Sequence, residues 1–331
     1  MPAAYFAKKL MIEGVGEKVR HKDEGKGFWL RSPVAEEASH MIVNGILVGS
    51  LLLPCFAQGQ PPPMAPSADS PSPPSRELVQ AWGLSPKYKK CLMLGPVPIL
   101  GTAKLQDVAL AEAHWVLSRM MEGRDDLLKA IADQKIRIAI MAHDERTLDV
   151  PEHSDLKPAD YWNGRARGLG ATKWRPAISG AEENLLELKG DPYRGENILI
   201  HEFGHVVHEI GLARVDPTFD GRLKKAYEEA MAKGLWKGGY AATNHKEYWA
   251  EGVQAWFDCN DSRNLVVTRA ELIPKDKPLA NLLKEVFGDK PWRYFPPSKR
   301  PQSETAHLKG FDPAKGPVFQ WSEQEQKAKT K

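Results

Sequence analysis

The stretch Asn197-Ile198-Leu199-Ile200-His201-Glu202-Phe203-Gly204-His205-Val206-Val207-His208-Glu209-Ile210 decides how this chain is read. Ile198, Leu199, Phe203, Val206, Val207 and Ile210 recur at helical spacing, so the segment predicts a helix with one buried face. Residues four apart share a helix face, and His201 and His205 can therefore direct imidazole nitrogens at one tetrahedral metal. Glu202 stands beside that face, where a carboxylate can act as general base on water whose pKa a metal has lowered. The alternative for the two histidines is satisfied hydrogen bonding in a core, and the helical pattern flanking the motif weighs against it.

Two histidines leave such a site one protein ligand short. A third histidine in the pattern HExxHxxGxxH would need Gly at 208 and His at 211, and the chain has His208 and Gly211. Downstream, Asn244 to Phe257 predicts a second helix with Thr243 or Asn244 as N-cap. Its Glu247 and Glu251 share one face. Tyr248, Trp249, Trp256 and Phe257 imply burial, and a buried carboxylate needs a metal, a cation or donors. Glu247 is therefore assigned as third ligand, and Glu251 as the acceptor for the free ring N–H of a metal-binding histidine. With Glu247 present the ligand set is complete, so His208 is expected to be a structural hydrogen-bonding residue and His245 a surface residue near the site.

The HEFGH run, followed by a Tyr seven residues before Glu247-Tyr248-Trp249-Ala250-Glu251, resembles the catalytic domain of the anthrax lethal factor-like zinc metallopeptidases, which are gluzincins. The resemblance covers roughly residues 195 to 258. It implies an α+β, zincin-like domain in which a small mixed sheet packs on the active-site helix and the C-terminal part is mainly helical. It also implies one catalytic zinc held by His201, His205 and Glu247, with Glu202 activating water and Tyr240 assisting at the substrate carbonyl. Without it, Tyr240 would be an ordinary loop aromatic after Gly238-Gly239. The implied activity is that of a secreted zinc-dependent endopeptidase acting on a peptide or protein. Two alternatives stay open: a non-catalytic zinc-containing peptide-binding module at the cell surface, and a zinc amidase acting on cell-wall peptides.

With net charge +3 spread diffusely and 42% hydrophobic residues, the chain can bury one sizeable core and shows no basic, aromatic stripe of the kind that tracks nucleic acid. It is expected to act as a monomer. Residues 1–57 form an N-terminal extension. Within it, 41–57 resembles a signal peptide, with the apolar run Ile42 to Pro54 too short for a stable membrane span and Ala57 at a plausible cleavage point. Met41 as the true start, or an uncleaved anchor, are both compatible with it; export to the envelope or medium is the expectation. Cys55 after Pro54 fits lipid attachment poorly. Cys91 and Cys259 read either as one disulfide or as two free buried thiols.

Residues 58–76, rich in Pro and Ser, are expected to be an extended tether, 77–295 the metallopeptidase domain, and 296–331 a polar, disordered tail. Inside the domain, helices are predicted over Leu105–Met121, Asp125–Ala132, Pro217–Lys233 and Pro278–Phe287. Ile136–Ile140 alternates and predicts a strand, Leu92–Leu100 an edge strand or irregular entry, and 149–180 long ordered loops. Glu182–Leu188 is expected to be the strand before the zinc helix, offering main-chain hydrogen bonds to extended substrate.

Overall fold

The computed structural model describes residues 70–328. The signal-like segment, Cys55 and most of the Pro-rich stretch lie outside them. The described chain is α+β, with one four-stranded mixed sheet in the order β1-β2-β3-β4. Strand β1 (Lys90–Leu94) turns directly into β2 (Val97–Gly101). Gly95 supplies the left-handed φ of 54° that a two-residue hairpin needs, and Leu94 pairs with Val97 across it. Pro98 is tolerated because parallel pairing of β2 with β3 (Arg137–Met141) begins only at Ile99. Leu92–Leu100 is thus a hairpin, not a single edge strand.

Between β2 and β3 run α2 (Asp107–Met120) and α3 (Asp125–Asp133), preceded in the chain by α1 (Arg76–Trp82). The alternation in β3 separates two buried faces rather than core from solvent. Ile138 and Ile140 join Ile99 and Ile178 in the main core beneath the helices, while Ala139 and Met141 join Leu84, Tyr88, Leu100 and Val150 in a smaller one. Cys91 lies in that smaller core, and both it and Cys259 are buried free thiols.

Strand β4 (Ala177–Ala181) pairs parallel to β3 and forms the far edge. It lies just before the expected span: Glu182 to Leu185 is a single helical turn. Glu182 and Glu183 are fully buried, because Glu182 accepts the backbone N–H of Gln106 and of His143 and Glu183 pairs with Arg167. Before β4, α4 (Ala159–Arg165) breaks up the stretch expected as loops. It leads into Ala166–Ala171, where Leu169 bridges Ser179 on the outer side of β4.

The helical half follows: α5 (Ile198–Val206), continued as a wider π-type turn Val207–Leu212, then α6 (Phe219–Ala232), α7 (His245–Trp256), α8 (Arg269–Lys275) and α9 (Lys277–Phe287). Helix α5 packs on β4 and on α7. No helix among the described residues is long and apolar enough to cross a membrane.

The domain extends beyond 77–295 at both ends. Ser72 exchanges backbone hydrogen bonds with Cys91, and Ser75 caps α1. The C-terminal segment is not a disordered tail: it is a strap packed on α2, on α4 and on the loop at Lys189. Arg300 pairs with Glu112 at 2.6 and 3.0 Å with both side chains inaccessible, and His307 adds a third contact at 2.7 Å. Phe319 is buried under Arg167, and Glu325 on α10 (Glu323–Ala328) meets Arg146. Two glycines admit the strap. A side chain at Gly190 would strike the carbonyl of Phe319, and one at Gly164 on α4 would lie 2.5 Å from that of Glu325.

Candidate metal centre

Two capped helices bring the ligands together. Asn197 caps α5 by accepting the N–H of Ile200, and Asn244 caps α7 by accepting those of Lys246 and Glu247, as expected. The helices approach closely at Gly204, whose added Cβ would already touch Val253 at 3.4 Å, and Trp249 Nε1 donates to the Gly204 carbonyl at 2.9 Å. His201, His205 and Glu247 then face one another.

His201 Nε2 lies 3.3 Å from His205 Nε2 and 3.2 Å from Glu247 Oε2, and His205 Nε2 lies 3.5 Å from the same oxygen. Ligands about 2.0–2.2 Å from a tetrahedral zinc stand roughly 3.3 Å apart, so the three atoms already have the spacing of one coordination sphere. Glu247 is 5% exposed, and its Oε2 has no well-oriented hydrogen bond among the described residues. A buried carboxylate oxygen left in that state fits a cation. Burial pushes the Glu247 carboxyl up, but the two imidazoles beside it outweigh this and hold it well below the usual range. These three residues form a group that could hold a metal ion.

The tautomer of His201 is fixed from behind, and not by the residue expected. Glu251 is buried, but its Oε1 lies 3.9 Å from His201 Nδ1, while its Oε2 accepts from Asn260. Gln254 Oε1 stands 2.8 Å from His201 Nδ1. The Gln254 amide nitrogen donates to Glu196 Oε2 and to the Asn197 carbonyl, which turns its oxygen toward His201. His201 Nδ1 therefore carries the proton and Nε2 the lone pair that faces Glu247 and His205. Gln254 follows Glu247 and Glu251 on one stripe of α7, one turn on, and that spacing was the signal available in the sequence.

Glu202 is buried against Gly168 and Gly170. The segment Ala166–Ala171 passes over it. A Cβ on Gly170 would lie 3.4 Å from Glu202 Oε2, and one on Gly168 would collide with Ile198 and lie 3.3 Å from Glu202 Cγ. A bare position at Gly168 is what lets the chain run so close to α5, while Gly170 lies in ordinary van der Waals reach of the carboxylate. Sequence inspection passed over this Gly-Leu-Gly run.

Tyr240 opens a 3₁₀ turn (Tyr240–Ala242) after Gly238, whose φ is 82°. Its ring is buried, with its centroid 6.5 Å from that of His201. Burial, followed by the charges of Glu247, Glu202 and Glu251, raises the phenol far above its ordinary range, so it remains a proton donor. His208, as expected, does not join this group. Its Nε2 turns to Asp220 Oδ1 at 3.1 Å, and His245 Nε2 reaches the same oxygen at 3.1 Å.

The geometry defines a buried centre of two histidines and one glutamate with a further glutamate and a protonated tyrosine at its margin. No family model matches the chain, and no curated protein matches it in sequence. Among solved structures, a PRO-PRO endopeptidase, PPEP-2 from Paenibacillus alvei, aligns over 59% of this chain and 98% of its own, at 16% identity and a TM-score of 0.37. So slight a likeness carries no functional weight, and the chemistry of the site rests on its own residues.

Proposed function

We propose that the chain is a zinc-dependent endopeptidase of the gluzincin kind that the sequence resembles. The observation that carries this is the mutual 3.2–3.5 Å spacing of His201 Nε2, His205 Nε2 and Glu247 Oε2 with Glu202 one residue along the same helix. When bound, zinc supplies the Lewis acidity that polarises a scissile carbonyl and acidifies water. Glu202 accepts the proton of the attacking water and delivers it to the leaving amine nitrogen, so that the C–O bond forms and the C–N bond breaks with no net change at the carboxylate. The Tyr240 phenol donates a hydrogen bond to the oxyanion that develops at the carbonyl. Leu169 spends its N–H and carbonyl on Ser179, so an extended peptide would pair with the side of Ala166–Ala171 turned away from β4, a main-chain mode that favours peptide over other amides. Export rests on residues 41–57 alone.

A binding module has no use for Glu202 beside an open metal position, so this carboxylate separates the two classes. Zinc-loaded protein and its Glu202→Gln variant are compared on casein, with and without a chelator, and new termini are identified by mass spectrometry. Cleavage should vanish with the chelator and fall by at least about 10³-fold in the variant while zinc and fold are retained. Undiminished cleavage by Glu202→Gln would sink the assignment.

A further inference from the structure

A second group of His208, Asp220 and His245 converges near the ends of α5 and α7 and the start of α6. Their side chains come from three elements: His208 from the π-type turn after α5, Asp220 from the start of α6, and His245 from the first position of α7. Both imidazoles present Nε2 to one oxygen, Asp220 Oδ1, each at 3.1 Å. The other carboxylate oxygen is taken by Lys224 Nζ at 2.7 Å. Oδ1 is thus left as the shared vertex. Ligand atoms of a tetrahedral transition-metal site stand roughly 3.3 Å apart; both His-to-Asp distances are close to that, and all three ligand atoms lie within 4.8 Å of one another.

We propose that His208, Asp220 and His245 form a second zinc site, separate from the centre of His201, His205 and Glu247. Two imidazoles and a carboxylate are a borderline donor set suited to zinc rather than to magnesium or calcium, which prefer all-oxygen shells. The side chain of His208 is almost wholly buried against Phe219 and Trp249, whereas those of Asp220 and His245 are 44% and 18% exposed. The site therefore has a fixed inner ligand and an open outer side from which an ion can enter and on which water can complete the shell. The helix widens at Val207–Leu212, where His208 lies, and this takes it out of the register that would otherwise set it one turn above His205. Such π segments recur where a side chain must be redirected for function. The bound ion would cross-link the helices that carry the first centre to α6.

The proposal does not depend on the peptidase reading, and one experiment tells their failures apart. Metal-free protein is titrated with Zn²⁺ by calorimetry, and content is read by plasma mass spectrometry after desalting, for wild type, His245→Ala, His201→Ala and the double variant. His245 is chosen because it is partly exposed, so its removal leaves the core intact, and circular dichroism checks the fold of each. The expected counts are two zinc per wild-type chain, one in each single variant, and none in the double. One zinc in both wild type and His245→Ala overturns the second site, as does retention of two in His245→Ala. A loss of one zinc in His245→Ala with no loss in His201→Ala keeps the second site and overturns the first.

Discussion

At the scale of single residues, the centre depends on groups that set orientation as much as on the ligands. Gln254 holds the His201 ring through a 2.8 Å hydrogen bond and is itself aimed by Glu196 and Asn197. Gln254→Ala should lower zinc affinity about 10- to 100-fold, measured by competition with a chromophoric chelator, and should cost roughly 1–3 kcal/mol of stability because its buried partners lose their hydrogen bonds. Unchanged affinity would return the role to Glu251. The motif pair was legible because metal ligation would impose a spacing: two histidines four positions apart on one helix, and a buried carboxylate on a second helix downstream. Orientation imposes no such spacing. Gln254 shares the stripe of Glu247 and Glu251, but it is uncharged, so that spacing alone did not single it out beside Glu251.

At the scale of elements, the ligand helices were readable and the segment facing them was not. Helices α5 and α7 announce themselves through caps and apolar spacing. Strand β4, by contrast, is Ala-Ile-Ser-Gly-Ala, with one β-branched residue, and the expected strand beside it proved to hold two buried glutamates. Small residues are there because α5 packs on the strand: a Cβ on Gly180 would already lie 3.3 Å from Leu199. The same closeness governs Gly168. A methyl there presses on Ile198 and on Glu202 while touching no ligand, so Gly168→Ala should cost roughly 1–3 kcal/mol of stability. It should also cut peptide cleavage more than tenfold with zinc content unchanged, the added methyl being next to Glu202 Cγ. Wild-type kcat/KM in that variant would remove Ala166–Ala171 from the cleft.

At the scale of the whole molecule, hydropathy misjudged the last thirty or so residues because they are held by charge pairs rather than apolar runs. Arg300 and Glu112 neutralise each other where neither side chain touches water. Arg300→Met leaves Glu112 buried with only His307, and should cost roughly 3–5 kcal/mol in a urea melt. Adding Glu112→Gln should recover a good part, and if the double variant is no more stable than the single, the pair is not what anchors the strap. The strap also bears on the segment that faces Glu202. Helix α10 lies on α4, and α4 leads straight into the run of chain above Glu202. A nascent chain releases both motif helices from the ribosome long before Glu325 can meet Arg146. The run of chain above Glu202 is therefore backed by a segment that follows both motif helices in order of synthesis.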